Sequence, residues 1–144
     1  LGEAVVFFNE DLAKDYRYAR KQGMQLASKM RFVSAQFSAL LEGDLWLRSA
    51  AHANAMARKL ESMVRDIPGV DVTQRSEANA VFARLPQAVI PLLQEHFFFY
   101  VWDGARGEVR WMTSFDTTEQ DLRAFVGCIT VTMEQYKRSM PFDY

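Results

Sequence analysis

With 144 residues, 49% of them hydrophobic, the chain suffices for one domain, or for one domain and the edge of another. Its 17 basic and 18 acidic side chains are well mixed and leave a net charge of -1, so no block of like charge suggests a nucleic-acid surface. The single cysteine, Cys128, excludes an intrachain disulfide and a thiolate cluster, and no run is long enough to span a bilayer or resembles a signal peptide, so neither a metal nor a membrane is expected and a cytoplasmic protein is the default.

The chain opens without an initiator Met on an apolar run, and Ala4 to Phe8 read as a strand buried on both faces. No partner strand is nearby in sequence, which suggests a chain cut from something larger. Asn9 or Asp11 can cap a helix from about Glu10 to Lys21, whose basic last turn suits a helix C-terminus. Gly23 breaks the pattern. A second helix is expected from about Leu26 to Leu41, with Phe32, Val33, Phe37 and Leu40 on its apolar side and the cations Lys29 and Arg31 opposing the dipole at its start. Gly43-Asp44 punctuates, and a long helix follows from about Leu45 to Arg65.

Beyond Pro68-Gly69 the period changes. Val70 to Thr73 and Ala80 to Leu85 read as short strands, and Pro86 starts a helix to about His96. Phe97 to Trp102 form a third strand, whose Phe97-to-Tyr100 run is most simply the centre of a sheet. Asp103 to Gly107 make a hairpin loop. The fourth strand alternates, with Val109, Trp111 and Thr113 on one face and Arg110 and Met112 on the other. Thr117 followed by Gln120 reads as the capping box of a closing helix from about Thr118 to Lys137. From Leu26 onward this order predicts an α+β fold, a small and mainly antiparallel sheet with helices packed on one face.

Arg110 is the residue most in need of explanation. A guanidinium on a sheet face requires a partner, because burying an unpaired charge is unfavourable. A planar carboxylate matches its fork best, so a substrate carboxylate is one reading. A structural ion pair with Glu95 or Glu108 is the other, and local pattern alone favours it. His52 lies near the stripe of the long helix and reads as a packing or hydrogen-bonding residue, since no second histidine stands at metal spacing and His96 is far along the chain. Cys128 reads as an inert core thiol.

Five segments carry a resemblance by their order and spacing: Gly2-Glu3-Ala4-Val5-Val6-Phe7-Phe8, Tyr18-Ala19-Arg20-Lys21, Met30-Arg31-Phe32, His52-Ala53-Asn54-Ala55-Met56-Ala57 and Glu108-Val109-Arg110-Trp111-Met112-Thr113-Ser114. Together they resemble the C-terminal part of a low-specificity L-threonine aldolase, in the β-eliminating lyase group of pyridoxal-phosphate enzymes of fold type I. The resemblance implies that residues 1–24 are the tail of the large cofactor-binding domain and residues 25–144 the C-terminal small domain. It implies that the Schiff-base lysine, the ring pocket and the catalytic histidine lie upstream, that neither His52 nor His96 is that histidine, and that the chain alone is inactive.

By the same resemblance Arg110 matches the arginine that grips the substrate α-carboxylate. Arg31 matches a second active-site arginine near the cofactor phosphate or the substrate carboxylate, with a reach across a subunit boundary left open. Lys21 matches a family lysine near that site more loosely. The Gly-rich segment usual before Arg31 is replaced by Gln22 to Lys29, so Lys29 competes with Lys21 for that role. The implied reaction cleaves L-threonine or a related β-hydroxy-α-amino acid to glycine and an aldehyde, in a homo-oligomer. The alternatives are a non-catalytic small-domain fragment and the same domain of another pyridoxal-phosphate lyase or racemase.

Overall fold

The computed structural model describes residues 2–139, and the chain forms two compact units, Leu1–Trp46 and Leu47–Tyr144. In the first unit the structure departs from the expected strand. Residues from Ala4 to Phe8 are not in a ladder, and Val5, Val6 and Phe8 are exposed. A strand holds only when its backbone groups pair with a neighbour, and among the described residues none pairs with this segment. The single helix expected next is two, α1 (Glu10–Ala13) and α2 (Tyr16–Gln22). Asn9 caps α1, its side-chain oxygen accepting from the Asp11 N–H at 2.9 Å. Gly23 closes α2, its N–H donating to the Ala19 carbonyl at 2.8 Å.

The third helix, α3 (Arg31–Leu41), starts later than the apolar pattern suggests. Met24 and Lys29 hold φ of 55° and 60°, in the left-handed region that interrupts a helix. Residues 25–46 fall in the same compact unit as α1 and α2. A cavity of about 630 Å³ is bounded by Gly2 to Val5, by Tyr16 and Arg20 of α2 and by Val33 and Phe37 of α3. No residue of α1, α2 or α3 is buried, so this unit has no closed core.

The second unit is built on the helix α4 (Leu45–Val64), whose buried face is Ala53, Ala57, Leu60, Glu61 and Val64. That spacing of three and four is the amphipathic period. The rest are β1 (Asp71–Val72), β2 (Ala80–Arg84), α5 (Val89–Gln94), β3 (Tyr100–Asp103), β4 (Glu108–Met112) and α6 (Glu119–Ser139). The four strands form one antiparallel sheet in the order β1-β2-β4-β3. Val81, Ala83, Val109 and Trp111 point to one face and form a single core with Leu60 and Val64 of α4, Leu93 of α5 and Leu122 and Ile129 of α6. Fully burying such an aliphatic side chain contributes about 1.5–3 kcal/mol. The α+β layer anticipated from the order of elements is therefore the fold of this unit.

Two local expectations are corrected. The Phe97-to-Tyr100 run is not the centre of the sheet: β3 begins at Tyr100 and is an edge strand, and β2 and β4 are central. The capping box of α6 lies one residue later than Thr117 and Gln120. The Thr118 hydroxyl accepts from the Asp121 N–H at 3.1 Å, and the Asp121 carboxylate accepts from the Thr118 N–H at 2.8 Å. Aspartate fills the place usual for glutamate. The Thr117 hydroxyl instead accepts from the Ser114 N–H, closing the turn out of β4.

Candidate substrate-anion site

Strand pairing decides what surrounds Arg110. On β4 it stands directly opposite Phe82 of β2 and Tyr100 of β3, and facing residues of an antiparallel pair share one side of the sheet. Val109 and Trp111 take the core side, so Arg110 takes the open side. Its guanidinium carbon lies 4.9 Å from the Trp102 ring centre and 5.5 Å from that of Tyr100. Trp102 meets Phe82 edge-on at 5.4 Å, and Phe98 meets Tyr100 likewise at 5.1 Å. The cation is thus held over aromatic faces by quadrupole attraction. Tyr100 and Trp102 remain more than half exposed and Phe98 is 84% exposed, so the face is open to solvent.

Among the described residues no carboxylate neutralises this cation. Among the described residues the ion pairs engage other partners, and neither Glu95 nor Glu108 reaches Arg110. The Arg110 Nε–H is buried and has no acceptor. The ion-pair reading that local pattern favoured is therefore not what the fold contains. The aromatic partners of Arg110 were legible in part, because Phe98, Tyr100 and Trp102 alternate with Phe99, which is buried against Trp111 and Phe125.

The other two candidates belong to the first unit. Arg31 is exposed at the first position of α3, its guanidinium 5.2 Å from the Phe32 ring centre and without a carboxylate partner among the described residues. Lys21 is exposed in the last turn of α2, and Lys29 is exposed two residues before Arg31. Sequence reasoning missed Arg20. It lines the 630 Å³ cavity of this unit and its buried Nε–H also lacks an acceptor.

His52 makes the hydrogen bond expected of it, its Nε2 standing 2.8 Å from the Thr117 carbonyl oxygen. Cys128 is half-buried against the core of the second unit. Among the described residues no cluster of metal-ligating side chains occurs, and no helix is long and apolar enough to cross a membrane.

No family model matches the chain. Its sequence is 46% identical over 134 residues to a low-specificity L-threonine aldolase of a Pseudomonas species. It is 44% identical over 134 residues to the protein of that name from Pseudomonas aeruginosa. The chain is homologous to part of a low-specificity L-threonine aldolase. Each aldolase alignment covers 92% of this chain and 38% of the relative, so the chain spans about two-fifths of the length of the curated relatives it matches. Among solved structures, a threonine aldolase from Leishmania major superposes with a TM-score of 0.68 at 28% identity, over 83% of this chain and 34% of that one. The sheet and helices described above are therefore similar to part of that threonine aldolase's fold.

Proposed function

We propose that this chain supplies the C-terminal portion of a pyridoxal-phosphate-dependent aldolase that cleaves L-threonine or a related β-hydroxy-α-amino acid to glycine and an aldehyde. Arg110 is the residue that grips the substrate α-carboxylate. The observation that carries the reading is a guanidinium on an open sheet face, held over Trp102 and Tyr100, with no acid among the described residues to neutralise it. Contact with the two rings restrains the guanidinium without consuming its terminal N–H donors, and a carboxylate is the ligand that two parallel donors fit.

The donor set suits the anionic ends of cofactor and substrate. Arg31 and Lys21 are exposed cations with no acidic partner among the described residues, and their chemistry fits a phosphate or a second carboxylate, with Lys29 as the substitute for Lys21. When bound, pyridoxal 5'-phosphate supplies the electron sink for breaking the Cα–Cβ bond. The contribution of this chain is orientation. Holding the carboxylate fixes the rotation about the substrate's amino end, and hence which Cα bond is broken. Correct positioning is worth up to about 7–11 kcal/mol in favourable cases.

In this reading residues 1–24 complete the large domain and residues 25–144 are the small domain. The exposed Val5, Val6, Phe8 and Leu12 support it, since apolar patches of this kind are normally covered. The same surface supports a homo-oligomer, and the chain alone is inactive. The test is Arg110→Lys in a full-length aldolase carrying this chain. Loss of the bidentate geometry should lower kcat/KM for L-threonine by about 10- to 100-fold, the equivalent of a charge-assisted hydrogen bond. Kinetics within twofold of the parent would refute the clamp.

A further inference from the structure

A second cationic feature lies on the helix-covered side of the sheet. Arg58, Glu61 and Ser62 on α4 and Arg65, the residue just past its end, follow one another at offsets of three, four and seven, which continues one helical face. They line a groove of about 500 Å³ together with Gln74 and Arg75 from the segment between β1 and β2. Val72, which stands opposite the buried Ala83, also lines it and so sets the groove on the side of the sheet away from Arg110.

The groove is built around one buried acid. Glu61 is 7% exposed, and both its oxygens are engaged: one accepts from the buried Ser76 N–H at 2.8 Å and the other from Arg65. This anchor ties the segment carrying Gln74 and Arg75 to α4 and so brings Arg75 to the same groove as Arg58. Glu61 neutralises only Arg65. Arg58 and Arg75 have no acidic partner among the described residues, and the lining holds no second acid, so two positive charges remain in the groove.

We propose that this groove binds a compact phosphate-bearing anion through Arg58 and Arg75, with Gln74 as a neutral donor. Two uncompensated guanidiniums facing one open groove call for a ligand with at least two negative charges and several acceptor oxygens. Phosphate groups meet both needs, and arginine forks match their geometry. Arg65 is already committed to Glu61 and acts as a wall of the groove. This inference does not rest on the aldolase reading.

The test is calorimetric titration of the chain with inorganic phosphate, pyrophosphate and glycerol 3-phosphate in separate arms, with ionic strength matched by sodium chloride at about 0.15 M, where charges are screened beyond about 8 Å. At least one arm should bind, and the arm that binds most tightly tells free phosphate from a phosphate ester. Arg58→Gln combined with Arg75→Gln should weaken that binding by about tenfold or more, since each substitution removes a charge-assisted donor. Arg138→Gln, a change to an exposed cation in the last turn of α6, should leave it unaltered. Both residues of the double variant are exposed, and an unchanged far-UV circular dichroism spectrum verifies its fold; each single variant should show a partial loss. The proposal is overturned if none of the three anions binds, or if the double or single variants bind as tightly as the parent.

Discussion

Replacing Glu61 by alanine should destabilise the second unit more than its position on a helix surface suggests. The carboxylate accepts from the Ser76 backbone N–H at 2.8 Å, and Ser76 is itself only 3% exposed. Removing the acceptor leaves a buried donor unsatisfied, which costs about 1–3 kcal/mol. Loss of the Arg65 partner adds about 0–1 kcal/mol, because Arg65 is 61% exposed and water screens it. The sum is roughly 1–4 kcal/mol, and at about 4–8 °C per kcal/mol for a unit of this size the midpoint should fall by roughly 4–32 °C. The pH dependence supplies a second readout. The Ser76 N–H first, and then Arg65, hold the Glu61 carboxyl below its ordinary value of 4.5. A depressed folded-state value means that the stabilisation is complete above the ordinary value and is lost as pH falls through the folded one. Thermal unfolding followed by circular dichroism should therefore show a wide gap between parent and Glu61→Ala near neutrality, narrowing in acid. Equal midpoints at neutral pH, or a gap that widens on acidification, would refute the reasoning.

Two further substitutions test the frame that holds Arg110. Gly107 sits at φ 65° after the β3–β4 loop, where an added Cβ would collide with the Leu85 carbonyl oxygen, so Gly107→Ala should cost about 1–3 kcal/mol in urea unfolding, and a neutral result would contradict the positive φ. Thr118→Ala removes the hydroxyl that caps α6 and should lower stability by about 1 kcal/mol, whereas Thr117→Ala should leave the Asp121 N–H cap intact. Similar losses in both variants would put the helix start back at Thr117.

The second unit was largely legible from period alone. The long helix, the alternation around Arg110 and the closing helix are strongly patterned, and Leu60, Val109, Trp111 and Ile129 fill one core as their spacing demands. The first unit was not. The apolar run from Ala4 to Phe8 has the composition of a buried strand, but strand formation depends on a neighbour that local sequence does not supply. Left-handed turns at Met24 and Lys29 delayed α3, and neither residue type signals such a conformation. At the site, sequence singled out Arg110 but offered Glu95 or Glu108 as its internal partner. The sheet register places Tyr100 and Phe82 beside it instead, and register is a long-range property that no local window contains. The threonine-aldolase resemblance read from five segments agrees with relatives 44% and 46% identical to the chain.

The carboxylate clamp is tested most directly by comparing glycine with ethanolamine, which replaces the carboxylate by a hydroxymethyl group. Dissociation constants for both should be measured on a full-length aldolase carrying this chain and on its Arg110→Leu variant. The parent should prefer glycine by about tenfold or more, as expected for a charge-assisted bidentate contact, and the variant should lose that preference while its affinity for ethanolamine stays near the parental value. An Arg110→Leu enzyme that still prefers glycine by the parental ratio would contradict the account.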